Sequence, residues 1–456
     1  MNLSWTNRPL PELLRLSWPM ATSMLSYSLM TLVDTLLIGH LGVAELAGVA
    51  LGGLASFVLL CFAFGLLRGM NTLVAQAVGA RRTEEIAALR AAALVAALAL
   101  GLLTLLLAQI CAHWLLPHLT ASSASGIAAS TYLAVRGLAA PIALAYVALR
   151  EVSYGRGDTR APMRATLVAN LVNIGLACVF VMVLRQGVAG AALATVIAHT
   201  VEMAVLALSQ RSQGLSRPGA RHFQALWRIG APTGVQFVLE IGSFALLSLF
   251  ISLLSMGEMA AHQITIQVVH FSFLPAWAVG EAAGVMVGQA VGANQDQLVR
   301  RVARLATLVS GAYAALCGLL FAALAPLIAR AFTPNVEVVA VATRLLYVAA
   351  VFQVFDAANV VARCVLRGTG DVRFAAIVGV TSAWLATPPL AWLLGYRLGL
   401  GAFGGWLGLC LEIIVGATIL VLRVERQGWA PSAATSRRRL ATGSQPAEEV
   451  AVAAAG

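Results

Sequence analysis

Three acidic residues lie inside stretches of this chain that are otherwise apolar. Asp356 falls in VFQVFDAANVVARCV, residues 351–365, with Gln353 and Asn359 three positions to either side. That spacing puts all three on one face of a helix. Glu240 falls in GVQFVLEIGSFALL, with Gln236 one turn before it and Ser243 three residues after. Asp34 falls in YSLMTLVDTLLIGHLG, with Thr31 and Tyr27 on its face. An ionised side chain at the centre of a bilayer costs about 3 kcal/mol or more, so such acids pair, face a cavity or carry a proton. The chemistry open to them is proton exchange or the holding of a cation. The structural alternative is a polar lock between helices. Asn170 and Asn173, three apart in LVANLVNIGLA, are neutral, and they either line the same path or bind neighbouring helices.

The surrounding elements follow from composition. The 456 residues are 60% hydrophobic and 11% charged, with mean hydropathy +0.87. A soluble domain carries about 25% charged residues, so the fold class is an all-α polytopic membrane protein. The apolar runs are continuous and do not alternate, which excludes a β-barrel. Spans begin near Leu13, Leu46, Ile86, Ala128, Met163 and Val188, and again near Ile229, Ala261, Val302, Val341, Phe374 and Gly401. Twelve transmembrane helices are expected.

The net charge is +11, and every basic residue is arginine. Arg81 and Arg82, then Arg150, Arg156, Arg160 and Arg164, then Arg211, Arg217 and Arg221 are read into alternate loops. So are Arg300, Arg301 and Arg304, then Arg363, Arg367 and Arg373, while the opposite loops hold few, such as Arg185 and Arg397. The positive-inside rule then puts both termini in the cytoplasm and accounts for the charge without nucleic acid. MNLSWTNRPLPELLRL has no cleavable-signal pattern. The six cysteines stand singly in apolar runs and read as small hydrophobes, so no metal or cofactor is expected. The tail after about Gly428 is polar and basic and is expected to be disordered.

The two halves repeat. VAQAVGA and VGQAVGA end the second and eighth spans, and Gln76 and Gln289 are 289 − 76 = 213 apart. Asp158 and Asp371, Pro19 and Pro232, and Arg150 and Arg363 share that offset. With six helices per half the repeats run parallel, which is a transporter plan of two pseudo-symmetric six-helix lobes around a central cavity. The domains read as a cytoplasmic N-terminus (1–12), an N-lobe (13–210), a linker (211–226), a C-lobe (227–426) and a tail (427–456). Asp356 is placed roughly 10 Å inside the cytoplasmic end marked by Arg363, and Glu240 roughly 18 Å from Arg228. Asp34 lies nearer the outer end. Shifted by 213, Asp34, Glu240 and Asp356 meet Leu247, Tyr27 and Ala143, so the scaffold repeats and the acids do not. Arg68 and Glu281 are also 213 apart with opposite charges. Either they latch across the central cleft, or each pairs or snorkels within its own lobe, which is the plainer reading.

At LSWPM, VDTLLIGHLG, TLVAQAVGA, GDTRAPM, FVLEIGSF, AAHQ, VGQAVGA and FDAANVVARCVLRGTGD the chain resembles the MATE (multidrug and toxic compound extrusion) family, NorM-type branch, from about Leu13 to Arg426. The resemblance implies exchange of cationic or amphipathic organic compounds for Na⁺ or H⁺ by lobes that rock about the cavity. It implies coupling roles for Asp34, Glu240 and Asp356, and it puts Asn173 and Thr195 in a polar cluster with Asp34. Two positions depart from the family pattern, Ala177 and Phe352, and both remove oxygen ligands. Na⁺ needs several oxygens, so the balance favours H⁺. The expected partners are small organic cations and membrane lipid, the expected location is a bacterial-type inner membrane, and a monomer is expected. A flippase for a lipid-linked precursor or polysaccharide is the second reading. An integral membrane enzyme is the third, and no HExxH, GxSxG or phosphate-binding motif supports it.

Overall fold

Long Ala/Leu-rich runs with few breakers favour helices, because in lipid each backbone group must be satisfied within its own segment. The computed structural model describes residues 3–119 and 123–442, and every regular element among them is helical. The first half holds α1 (Pro9–Gly39), α2 (Val43–Gly79), α3 (Thr83–His118), α4 (Ala124–Gly137 and Ala140–Gly155), α5 (Arg160–Val183) and α6 (Gly187–Ser209). The second holds α7 (Ala220–Ser252), α8 (Met256–Gly292), α9 (Asp296–Phe332), α10 (Val336–Thr369), α11 (Val372–Arg397), α12 (Gly401–Glu425) and α13 (Ala430–Thr442). Eleven helices among the described residues are long and apolar enough to cross a membrane, and α4 makes twelve if its two pieces are one span. Those pieces meet at 52°, with Pro141 starting the second where its missing N–H is harmless.

The repeat extends to the backbone. Left-handed residues recur at Arg81 and Asn294, and at Gly157 and Gly370, each pair 213 apart. α5 and α11 both finish in a π-helical stretch, Cys178–Val183 and Ala391–Arg397, whose starts are 391 − 178 = 213 apart. The first stretch has six residues and the second seven. The extra residue moves the next matching pair, Gly187 and Gly401, to an offset of 214. Pro388 and Pro389 precede only the second stretch, so the wide turn does not depend on them.

The chain divides into two compact units that differ from the sequence halves. One comprises 1–18, 72–86 and 239–456, and the other 19–71 and 87–238. In the first, Leu247, Trp406, Phe352 and Leu345 centre a core drawn from α7, α10 and α12. The ends of α2 and α8 meet here. A Cβ on Gly79 would stand 2.0 Å from the Gln289 carbonyl oxygen, and one on Gly292 would stand 2.0 Å from that of Gln76. Only glycine permits this approach. The α2 end therefore groups with second-half helices, reinforced by Thr72 and Gln76 donating to the carbonyls of Arg367 and Gly368. In the second unit α4 packs on α6 through Ala128, Tyr132, Val188 and Ala192, with Val49 of α2 against them.

Two expectations are corrected. Against the disorder that composition predicts from 427, Ala430–Thr442 is helical. Its Arg437 pairs with Asp296 at 2.6 Å, Ser432 donates to Asp371, and Arg439 donates to the Gln76 side chain. These bonds to Asp296, Asp371 and Gln76 hold the polar helix against the rest of its unit. Residues 443–456 lie outside the described residues. Of the arginines assigned to loops, Arg160, Arg164, Arg221, Arg300, Arg301, Arg304 and Arg373 lie near the starts of α5, α7, α9 and α11, and Arg150, Arg363 and Arg367 lie inside α4 and α10. Each of these last three, Arg150, Arg363 and Arg367, has a carboxylate partner within the protein, which is what admits an arginine to a helix of this kind.

Candidate carboxylate site

Glu240 sits mid-way along α7, where two bonds fix the helix against α11. Ser243 donates to the carbonyl of Ala383, and Trp384 donates to that of Leu239, both at 3.0 Å. Across from Glu240, Arg363 of α10 brings Nη1 to 2.8 and 2.9 Å from its two carboxylate oxygens. Asp356 lies seven residues before Arg363 on α10, within range of the charges of both Arg363 and Glu240. A fourth charge completes the group: Glu412 of α12 lies within range of Glu240, Asp356 and Arg363, and accepts a hydrogen bond from Thr387 of α11. Three carboxylates and one guanidinium leave a formal charge of −3 + 1 = −2 when all are ionised. A group of carboxylates in a low-dielectric setting relieves that charge by taking up protons or a cation. Among the described residues no three His, Cys, Asp or Glu side chains are grouped to hold a metal ion.

The neighbours of Asp356 on its helix face do different work. Gln353 accepts from Ser272 of α8 at 2.5 Å, and Asn359 donates to the carbonyl of Ile413 of α12 at 3.5 Å. Both are buried, and they supply the interhelical locks, with Asp356 between them facing charge. Gln236 is buried one turn before Glu240 on α7.

Asp34 occupies the last turns of α1 in the other unit. Its Oδ1 is buried without a hydrogen-bond partner among the described residues, and it lies within range of the Arg136 charge. Arg136 closes the first piece of α4 and donates to the hydroxyls of Tyr132 at 3.2 Å and Tyr27 at 3.4 Å. Thr31 turns its hydroxyl back to the Tyr27 carbonyl. Asn170 donates to Ser26 at 2.6 Å, and fully buried Asn173 donates to Thr195 at 3.3 Å. Asn170 thereby ties α5 to α1, and Asn173 ties α5 to α6.

Arg68 stands over the Phe237 ring, 5.2 Å from its centroid. Glu281 is buried and accepts from Arg367 at 2.6 Å and from Trp277 at 2.9 Å. The residues missed in the sequence are Glu412, Arg136 and the buried group in which Tyr146 bonds Thr166, and Thr166 and His199 bond Glu202. Glu412 carried the same signal as Asp356, an acid within an apolar run. The role of Arg363 carried none, since its partner Glu240 lies 363 − 240 = 123 residues away.

The MatE family model matches the chain twice, over residues 19–179 and 232–393, and the matches start 232 − 19 = 213 apart. The chain is 30% identical over 436 residues to the probable multidrug resistance protein NorM of Pseudomonas syringae pv. tomato, covering 91% of this chain and 94% of that one. It is 32% identical over 432 residues to the protein of the same name from Bradyrhizobium diazoefficiens, covering 90% and 92%. The fold is that of the eukaryotic MATE transporter AtDTX14, with TM-score 0.86 at 21% identity over 95% of this chain and 99% of that one.

Proposed function

The chain belongs to the MatE family of membrane transporters, on the NorM branch that its motifs implied, and we propose that it is a secondary active efflux antiporter. It exports cationic or amphipathic organic compounds across a bacterial inner membrane in exchange for H⁺ or Na⁺. The observation that carries this reading is the group Glu240, Asp356 and Glu412 around Arg363, an anionic site built inside apolar helices. Asp34 is the acid of the other unit, with Tyr27, Thr31, Asn170, Asn173 and Thr195 in its polar surroundings. Gln236, Gln353 and Asn359 do the same for the second-half acids.

The mechanism follows from charge balance. A carboxylate facing a cavity holds a proton or a cation, and the two compete for the same oxygens. With the site open to the outside, the driving ion loads the carboxylates and displaces a bound organic cation. With the site open to the cytoplasm, the ion leaves and the restored negative charge draws in the next compound. Neither ligand moves the protein alone; each favours one of two conformations by its differential affinity. Both termini are cytoplasmic in this reading. Without Arg150, Arg363 and Arg367, the remaining arginines, in loops or near helix starts, still alternate.

Cells lacking their own efflux pumps and expressing the chain will accumulate less ethidium than empty-vector cells. Glu240→Gln at equal expression will lose most of that difference. Wild-type efflux in Glu240→Gln would remove the acid from the mechanism, and no efflux by the intact chain would favour a lipid-linked substrate.

A further inference from the structure

Arg363 occupies an unusual place for an arginine. It lies inside α10, six residues before that helix ends, and its guanidinium turns to the carboxylate of Glu240. One nitrogen, Nη1, engages both oxygens of Glu240. Its side chain is only 24% exposed, and that of Glu240 only 23%. The titratable and polar groups facing it come from every helix around the site: Glu240 of α7, Asp356 of α10, Thr387 of α11 and Glu412 of α12. The repeat supplies a comparison. Arg150, its mate 213 residues earlier, pairs with its own neighbour Glu151 at 2.9 Å beside the rings of Tyr146 and Tyr154. The repeated position accounts for an arginine being there, and its insertion among three acids is peculiar to the second half.

A guanidinium stays charged under all physiological conditions, so it acts here as a cation that never leaves. Na⁺ binds through a shell of several oxygens. Both oxygens of Glu240 already accept from Arg363, and one oxygen of Glu412 accepts from Thr387. A sodium ion drawing on Glu240 would share each oxygen with the guanidinium and sit close to that fixed positive charge, against repulsion that a low-dielectric setting strengthens. A proton meets neither obstacle. It binds one lone pair of one oxygen and leaves the Arg363–Glu240 pair intact. Asp356 and Glu412 are the two carboxylates left to receive it. Asn359 Oδ1, on the same helix face as Asp356, is buried without a hydrogen-bond partner among the described residues and can accept from a protonated carboxyl.

We infer that Arg363 makes this site proton-selective: it is a tethered cation that excludes Na⁺, while Asp356 and Glu412 carry the exchanged proton. Loading is a carboxylate plus H⁺ giving a carboxylic acid, and release is the reverse. This rests on the antiport reading and narrows it to one ion and one gatekeeping side chain.

The test uses the full chain in liposomes loaded with ethidium, under a pH gradient or a Na⁺ gradient alone. It also measures thermal stability in detergent in NaCl against choline chloride at equal ionic strength. Wild type is expected to export under the pH gradient only and to show no Na⁺-specific stabilisation, and Arg363→Lys is expected to keep that indifference to Na⁺ at whatever export rate it retains. Arg363→Gln is expected to gain Na⁺-driven export at least tenfold above background, together with Na⁺-specific stabilisation. The double variant Arg363→Gln, Glu412→Gln is expected to lose both. A merely structural ion pair would change stability without making it respond to Na⁺. Na⁺-driven export by the wild type overturns the inference and leaves antiport standing, and this arm decides even if Arg363→Gln does not fold. An Arg363→Gln protein that exports under a pH gradient and ignores Na⁺ also overturns it. Absence of export under either gradient removes antiport and the inference together.

Discussion

At the scale of single residues, the account rests on carboxylates that neither burial nor packing requires. Asp356 stands between Gln353 and Asn359, which already join α10 to α8 and α12. Replacing Asp356 by Asn keeps that packing and removes the exchangeable charge. The protein should fold with a melting temperature within a few degrees of wild type and lose at least tenfold in transport. Glu240→Gln differs, because it leaves the Arg363 guanidinium without its carboxylate. Removing one partner of a buried ion pair costs about 3–5 kcal/mol, and this pair is about a quarter exposed, so roughly half that is expected. Comparing the two melts checks the distinction. The acids themselves were legible in the sequence, since a charge in an apolar run is conspicuous. Their partners were not. Arg363 read as a loop residue because positive-inside counting takes every arginine near a helix end as a topology marker, and it has no access to a carboxylate 123 residues away in the chain.

At the scale of elements, close helix crossings place the polar groups. A Cβ on Gly230 of α7 would stand 2.0 Å from the carbonyl oxygen of Leu66 on α2, whereas one on Gly311 of α9 would meet nothing within 4 Å. Gly230→Ala should therefore destabilise by about 1–3 kcal/mol, as overpacking does. Gly311→Ala should be neutral or stabilising by up to about 1 kcal/mol, because alanine favours a helix interior. Thermal melts of the two variants check the contrast, and equal melts would mean α2 and α7 do not cross so closely. The spans were legible from hydropathy because each is long and uninterrupted. The 52° break in α4 and the seven-residue π stretch of α11 were not, since both depend on backbone hydrogen bonding that composition does not report. The helix α13 was missed for a related reason. Its sequence is polar, and its arginines are satisfied by Asp296 and Gln76, which lie far away in the chain.

At the scale of the whole molecule, the offset of 213 residues describes a repeated scaffold, and the acids describe what each half does with it. The Arg68–Glu281 latch belongs to this scale as a proposal. Glu281 already has Arg367 at 2.6 Å, so a latch would be an exchange of partners for that carboxylate. Arg68→Ala, Glu281→Gln and the double variant form a cycle. Coupling of more than about 0.5 kcal/mol in transport rates supports the latch, and additive effects dismiss it. The measurement that bears most directly on the central claim is export of ethidium from liposomes holding purified protein, driven by an imposed pH gradient, for wild type and Asp356→Asn at equal incorporation. Gradient-dependent export by the wild type and its loss in the folded variant is the predicted result. Undiminished export by Asp356→Asn would contradict the account, because the acid at the centre of the site would then carry no part of the exchange.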